Sequence, residues 1–337
     1  MPSTNKRSTS VFFGGKTALY MTRAALVAGH SMSPSSIRTL PASVPSQAAV
    51  AAALERAQVE LPGMQVQEAA QVLVGTRSRP HSNSVFAPSV CTATLPSGAF
   101  WRLASGVYVA TPALCFVRAA TRGSSDIALV ELGCELCGTY ATACTGTGDA
   151  FDVTPVATLG ELRAFAQRCT NVGGARRAAR LLRYVVEGSA SPRETKLALV
   201  LGLPHRYGGF GLGMPCMNYE VEASREASLI AQRRSFRCDL CWPQALLDVE
   251  YQSRAIHGNE ASRIADSRRV NALHAMGWNV VGVTNEELDS MASLEVIAKT
   301  VAKHLGKRIR VRVEGYHERQ LSLRAGLGLQ IDTWSLH

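Results

Sequence analysis

The sequence predicts a mixed α/β protein: a C-terminal α/β domain, a smaller α/β domain before it, and a helical, arginine-rich connector between them. Three observations carry this reading. At about 150 residues per domain, 337 residues leave room for two hydrophobic cores that need no disulfide or metal staple. From Gly188 onward the apolar pattern runs helix, three strands, helix, strand, helix. Between residues 161 and 187 stand six arginines (163, 168, 176, 177, 180 and 183) against Glu161 and Glu187, whereas 188–310 holds 16 basic and 13 acidic residues. Segment boundaries follow: a poorly ordered or helical stretch over 1–60, a small α/β domain over 61–150, the connector over 151–187, the C-terminal domain over 188–310 and a tail over 311–337.

Composition narrows the classes. Hydrophobic residues make up 46% and charged ones 18%, a globular balance rather than that of a disordered chain or a membrane protein. No run approaches the about 18 consecutive apolar residues of a spanning helix, so no membrane partner is expected. Lys16 and Arg23 interrupt the early apolar runs, and no apolar region leads into a small-residue cleavage site; secretion is not expected. Nine cysteines between Cys91 and Cys241 are an odd, scattered set that reads as reduced cytoplasmic thiols. The net charge of +10 biases the chain towards polyanions.

The elements follow in order. Ser, Thr and Pro crowd 32–46, a linker composition, and an Ala-rich helix spans Ser46–Gln58. Residues 100–112 read as two short strands about a Ser105-Gly106 turn. Pro112 at a first helical position opens a helix over 112–120, and 128–140 is a second helix ended by Gly138. Thr145–Gly148 is a turn-rich break, not a phosphate loop. Residues 157–186 form two short helices about Gly173-Gly174. Ser191 caps a helix with Pro192 at its first position and Glu194 in its first turn, and that helix stops before Pro204. A glycine-rich loop (207–213), strands near 217–222, 235–241 and 246–251, a helix over Asn259–Met276, a strand over 278–284 and a helix over Leu294–Leu305 complete the order.

The chemistry concentrates in 236–253. Apolar runs on either side of Trp242–Ala245 predict a β-hairpin. With Gln244 and Ala245 as its two-residue loop, Asp239 stands opposite Glu250, with Cβ atoms about 5 Å apart. Carboxylates that close repel unless a cation lies between them. Glu194 from the preceding helix adds a third oxygen donor for one hard divalent ion. Asp248 lies on the same strand face as Glu250, where it either supplements the set or is an unrelated edge carboxylate. Two Cys-x-x-Cys pairs, Cys134/Cys137 and Cys238/Cys241, sit in a helical and a strand context. At strand spacing the second pair faces opposite sides, so neither is read as a zinc site.

With these residues in view, 188–310 resembles the PD-(D/E)XK nuclease superfamily, and within it the very-short-patch-repair (Vsr)-like endonucleases. The resemblance rests on Glu194, Asp239 in CDLCWP, Glu250 in VEYQS, His257 seven residues on, then Arg263, Asp266, Arg268 and Arg269, and the closing stretch 271–288. It implies a restriction-endonuclease-like fold and Mg²⁺- or Mn²⁺-dependent hydrolysis of DNA phosphodiesters. Asp239 and Glu250 become metal ligands, Glu194 a supporting ligand, and His257 a general acid or phosphate-orienting group. Arg263, Arg268 and Arg269 would meet phosphate or brace the carboxylates. Active members of the superfamily carry Lys two residues after the second acid, and the Vsr-like branch often Asp; Gln252 supplies neither charge. Residues 95–120 resemble the central region of AbiE-type antitoxins, which implies a bacterial toxin–antitoxin or defence partner.

Each feature also has a plainer reading. Asp239 and Glu250 can be structural acids paired with Arg263 or Arg269, Glu194 a helix-capping residue and His257 a loop histidine, while Arg176 and Arg177 are read either as contacts to a nucleic-acid phosphate backbone or as a solvated face. Three functions therefore stay open: a metal-dependent endonuclease, a non-catalytic nucleic-acid-binding regulator on the same fold, and an antitoxin-like protein-binding module.

Overall fold

A computed structural model of the chain describes residues 9–64, 66, 68–76, 78, 80–121, 123–252 and 260–331. The chain is mixed α/β and divides into two units, 1–124 with 135–183 and 125–134 with 184–337. No helix among the described residues is long and apolar enough to cross a membrane.

The first unit holds β1 (Val11–Phe13), α1 (Gly15–Val27), β2 (Ser33–Pro34), α2 (Gln47–Glu60), β3 (Ala70–Val74), β4 (Phe86–Val90), β5 (Phe100–Ala104), β6 (Val107–Ala110) and α3 (Pro112–Ala119). Next come α4 (Asp126–Leu136), whose first residues group with the second unit, β7 (Tyr140–Ala141), β8 (Ala150–Phe151), α5 (Leu159–Arg168) and α6 (Ala175–Leu181). Its six-stranded mixed sheet runs β2-β5-β6-β1-β3-β4. Here the expected boundaries change. Residues from the stretch expected to be poorly ordered or helical supply a central strand, because β1 pairs parallel with β6 and antiparallel with β3 and is buried along its length. The connector helices α5 and α6 also belong to this unit.

Local signals account for the helices. Ser46 accepts the Ala49 N–H at the start of α2, Thr111 with Pro112 opens α3, and Thr158 and Glu161 form a reciprocal capping box on α5. Arg23 on α1 is buried and donates to Thr145 Oγ1 (2.9 Å) and to the Tyr140 carbonyl (3.0 Å). The buried Glu135 carboxylate accepts the Thr142 N–H and hydroxyl, both at 2.8 Å. Arg23→Met leaves Thr145 Oγ1 and the Tyr140 carbonyl without their guanidinium donor, and we expect a loss of about 3 kcal/mol in a urea unfolding curve. A loss below about 1 kcal/mol would mean that water replaces the guanidinium.

The second unit contains α7 (Pro192–Gly202), β9 (Cys216–Glu222), α8 (Arg225–Ala231), β10 (Ser235–Trp242), β11 (Leu247–Gln252), α9 (Glu260–Ala275), β12 (Asn279–Thr284), α10 (Asn285–Asp289), α11 (Met291–His304) and α12 (Tyr316–Gly326). Its four-stranded sheet runs β12-β11-β10-β9: β9, β10 and β11 form an antiparallel meander, and β12 returns parallel to β11. A parallel return needs a crossover element, and α9 supplies it. The order read from the sequence for 188–310 recurs, with the short helices α8 and α10 added.

The 311–337 tail contains a helix, α12, tied into the unit. The Arg324 guanidinium is buried and donates to the Leu288 carbonyl at 3.1 Å and to the Gln330 carbonyl at 2.8 Å. The glycine-rich loop has a packing reason too. Gly208 has φ +87°, and a Cβ there would stand 2.2 Å from the Arg319 carbonyl of α12.

Candidate functional site

The hairpin register is the expected one. Trp242 pairs with Leu247, Cys241 with Asp248 and Leu240 with Val249. The connection differs: it is a turn over Pro243–Ala245 followed by Leu246 at φ 47°, not a two-residue loop. Pro243 favours a tight helical turn, and the left-handed Leu246 turns the chain back without shifting the pairing.

One step beyond Leu240–Val249, the regular pairing gives way to a side chain. Asp239 Oδ2 accepts the Tyr251 N–H at 2.9 Å. The Asp239 carboxyl is pushed up from an ordinary 3.8 to about 7, first by burial, then by the negative charges of Glu250 and Glu194. Three acids from α7, β10 and β11 are thus close enough to feel one another, and the sequence had placed these three together.

Glu194 is already well occupied. Its carboxylate accepts the Ala190 N–H (3.0 Å), the Ser191 hydroxyl (2.9 Å) and the Asn218 amide (3.0 Å), while its own N–H donates to Ser191 Oγ (3.1 Å). The helix-capping reading of Glu194 therefore holds, alongside its electrostatic influence on Asp239.

A further acid stands on β11. Asp248 is completely buried, and its carboxyl is pushed up to about 11, by burial first and then by a hydrogen bond shared with Glu250. Its Oδ1 has no hydrogen-bond partner. Donor atoms of Cys238, Asp248 and Glu250 all lie within 4.8 Å of one another, a grouping that could hold a metal ion. Glu250 is common to this grouping and to the expected one. The Cys238 thiol is raised, first by a hydrogen bond shared with Cys241 and then by burial, and so stays protonated. Both cysteines join one core cluster with Ala272 and Leu273 of α9. The expectation that strand spacing sends them to opposite sides is corrected: local irregularity outweighs the two-residue period. Asn218 on the neighbouring strand has φ 47°, and the Asn218–Asp239 position is missing from the pairing.

Arg269, reaching from α9, is the resident cation. Its Nη2 lies 2.5 Å from Glu250 Oε1, 3.5 Å from Asp248 Oδ2 and 2.6 Å from the Arg237 carbonyl. Arg263 and Arg268 on the same helix are exposed. Gln252 ends β11 on the exposed side, its amide beside Gly282 of β12. His257 lies outside the described residues.

In the first unit, three arginines of the 163–183 segment, among them the expected DNA-binding Arg177, hydrogen-bond backbone carbonyls. Arg177 donates to the carbonyls of Thr121 (3.3 Å) and Ser124 (2.6 Å), Arg168 to Ser97 (3.4 Å) and Arg163 to Leu182 (3.3 Å). Arg176 is exposed. Sequence reasoning did not give Asp248 its weight: an acid between Leu247 and Val249 reads as a strand-edge residue until burial is known.

Fold and site together define a mixed α/β protein with a partly buried carboxylate cluster on a hairpin, braced by one arginine. Comparison with protein families, with curated proteins and with solved structures returns no match.

Proposed function

We propose that the second unit is a metal-dependent DNA endonuclease of the Vsr-like type, with Asp239 and Glu250 at its centre. The observation that carries this reading is that Asp239, Glu250 and Glu194 gather around one spot, where burial first and then the two neighbouring acids push the Asp239 carboxyl up to about 7. Oxygen donors of this kind suit Mg²⁺ or Mn²⁺, and the orphaned, buried Asp248 Oδ1 is a donor atom left over for the same region. Asp239 and Glu250 would hold the ion, with Asp248 or Glu194 in support. A bound divalent ion would polarise the scissile phosphate and lower the pKa of an attacking water.

The chain's own residues position these groups. The Tyr251 N–H holds the Asp239 carboxylate. Arg269 fixes Glu250 and offers a positive charge to an incoming phosphate. Gln252, exposed at the strand end, can orient a water but brings no charge. Restoring charge there with Gln252→Asp should raise the rate of Mn²⁺-dependent plasmid nicking about tenfold or more; an unchanged rate would remove position 252 from the chemistry.

A second reading rests on Arg269. A guanidinium this close to Glu250 already neutralises part of the cluster, as in a retired nuclease fold kept as a nucleic-acid-binding regulator. Plasmid cleavage with Mg²⁺ or Mn²⁺ separates the two. Nicking by wild type supports the endonuclease; salt-sensitive DNA binding without nicking supports the regulator.

A further inference from the structure

A run of exposed positive charge in the second unit lies outside the carboxylate site. After α11 the chain runs KHLGKRIRVR over 303–312, five Lys or Arg residues and His304 with no acid among them. Arg308, Arg310 and Arg312 are exposed and alternate with Ile309, Val311 and Val313, of which Ile309 and Val313 are half-buried. No hydrogen bond or ion pair joins these three arginines to other described residues, in contrast to Arg163, Arg168 and Arg177.

The strip is also anchored. The Lys307 N–H donates to the Ala302 carbonyl at 2.8 Å, and its Nζ to the Leu212 carbonyl at 2.5 Å. The next carbonyl, of Gly213, accepts Trp242 Nε1 at 3.2 Å, so the strip starts beside the turn end of the catalytic hairpin.

We infer that Arg308, Arg310 and Arg312 form a docking strip for the phosphate backbone of DNA. The inference rests on the endonuclease or regulator reading of this unit. The three guanidiniums stand at every second position of a stretch outside any helix or strand, and each is exposed, so each can reach a separate phosphate. Lys307, through its N–H and Nζ, anchors the start of the segment. A membrane surface fits less well, because 303–312 offers no aromatic anchor. Contacts of this kind give affinity without sequence preference and steep salt dependence.

The test is duplex binding by fluorescence anisotropy across a salt series, using the full chain. Wild type is compared with Arg308→Ala/Arg310→Ala/Arg312→Ala and with the Lys triple variant, and circular dichroism checks that each is folded. The alanine variant should bind at least tenfold more weakly near 0.15 M salt, with its log–log salt slope reduced by about 2 to 3. The lysine variant should keep most of the affinity, since a point charge still meets phosphate. Wild type binding with a steep slope that the alanine variant matches would overturn the strip and leave the nucleic-acid reading standing. No binding by wild type at low salt would remove both. Binding to phosphatidylserine vesicles that the alanine variant loses, with duplex binding unchanged, would make the strip a membrane contact and also overturn it.

Discussion

On the endonuclease reading, Asp239→Ala should abolish Mg²⁺- or Mn²⁺-dependent nicking of plasmid DNA, with a loss of at least about a hundredfold in rate, while the protein stays folded. The effect is large because Asp239 is the acid on which burial, Glu250 and Glu194 all act. Removing it relieves repulsion in the metal-free protein, so the thermal midpoint should hold or rise as activity disappears. A midpoint that collapses with activity would instead mark Asp239 as structural, through its bond to the Tyr251 N–H. Proton competition adds a pH signature. With its carboxyl near 7, Asp239 is protonated below that value and free for a cation above it, so Mn²⁺ affinity should rise as pH goes from 6 to 8. Folding responds in the opposite sense. Between about 4 and 7 the folded state holds a proton that the unfolded state has released, so metal-free stability falls as pH rises through that window. Calorimetric titration with Mn²⁺ at three pH values reads the first effect, and urea curves without metal read the second.

Arg269→Ala should cost about 3 kcal/mol and lower the thermal midpoint by about 10 °C. It strips the counter-cation from Glu250 and a hydrogen-bond donor from the Asp248 carboxyl, in a cluster where the Asp248 side chain is 0% exposed and the other two are each 18% exposed. If that cluster is a metal site, Mn²⁺ should return more of the midpoint to the variant than it adds to wild type, because the ion takes the guanidinium's place beside Glu250. Differential scanning fluorimetry with and without Mn²⁺ decides this. No response to the ion in either protein would favour the regulator reading, with Arg269 as the permanent counter-charge.

Residue patterns reached unevenly into this molecule. The order α7, β9–β11, α9, β12, α11 was legible because each element carries a local signature: the Ser191–Pro192 start, alternating strands and the Gly277 stop. The register of the hairpin was legible as well, since strand pairing fixes who faces whom once the hairpin is placed, although regular pairing stops at Leu240–Val249, one step short of Asp239 and Glu250. The central place of β1 in its sheet was not legible, because three residues show no period and its partners come from distant segments. α12 was overlooked for a different reason: its fastening is Arg324, and arginine in a sequence reads as surface.

Electrostatics divide along the same line. The sequence alone settles how many charges there are and their order, and it placed an excess of arginine at 163–183. Tertiary structure decided which of those charges are still available. Arg163, Arg168 and Arg177 are turned onto backbone carbonyls, Arg269 is drawn into the carboxylates, and Arg308, Arg310 and Arg312 are left facing solvent. The physical reason is range. Helix caps and strand alternation act over a few residues and are written locally, whereas a charge's burial and partner depend on chain segments that only folding brings together.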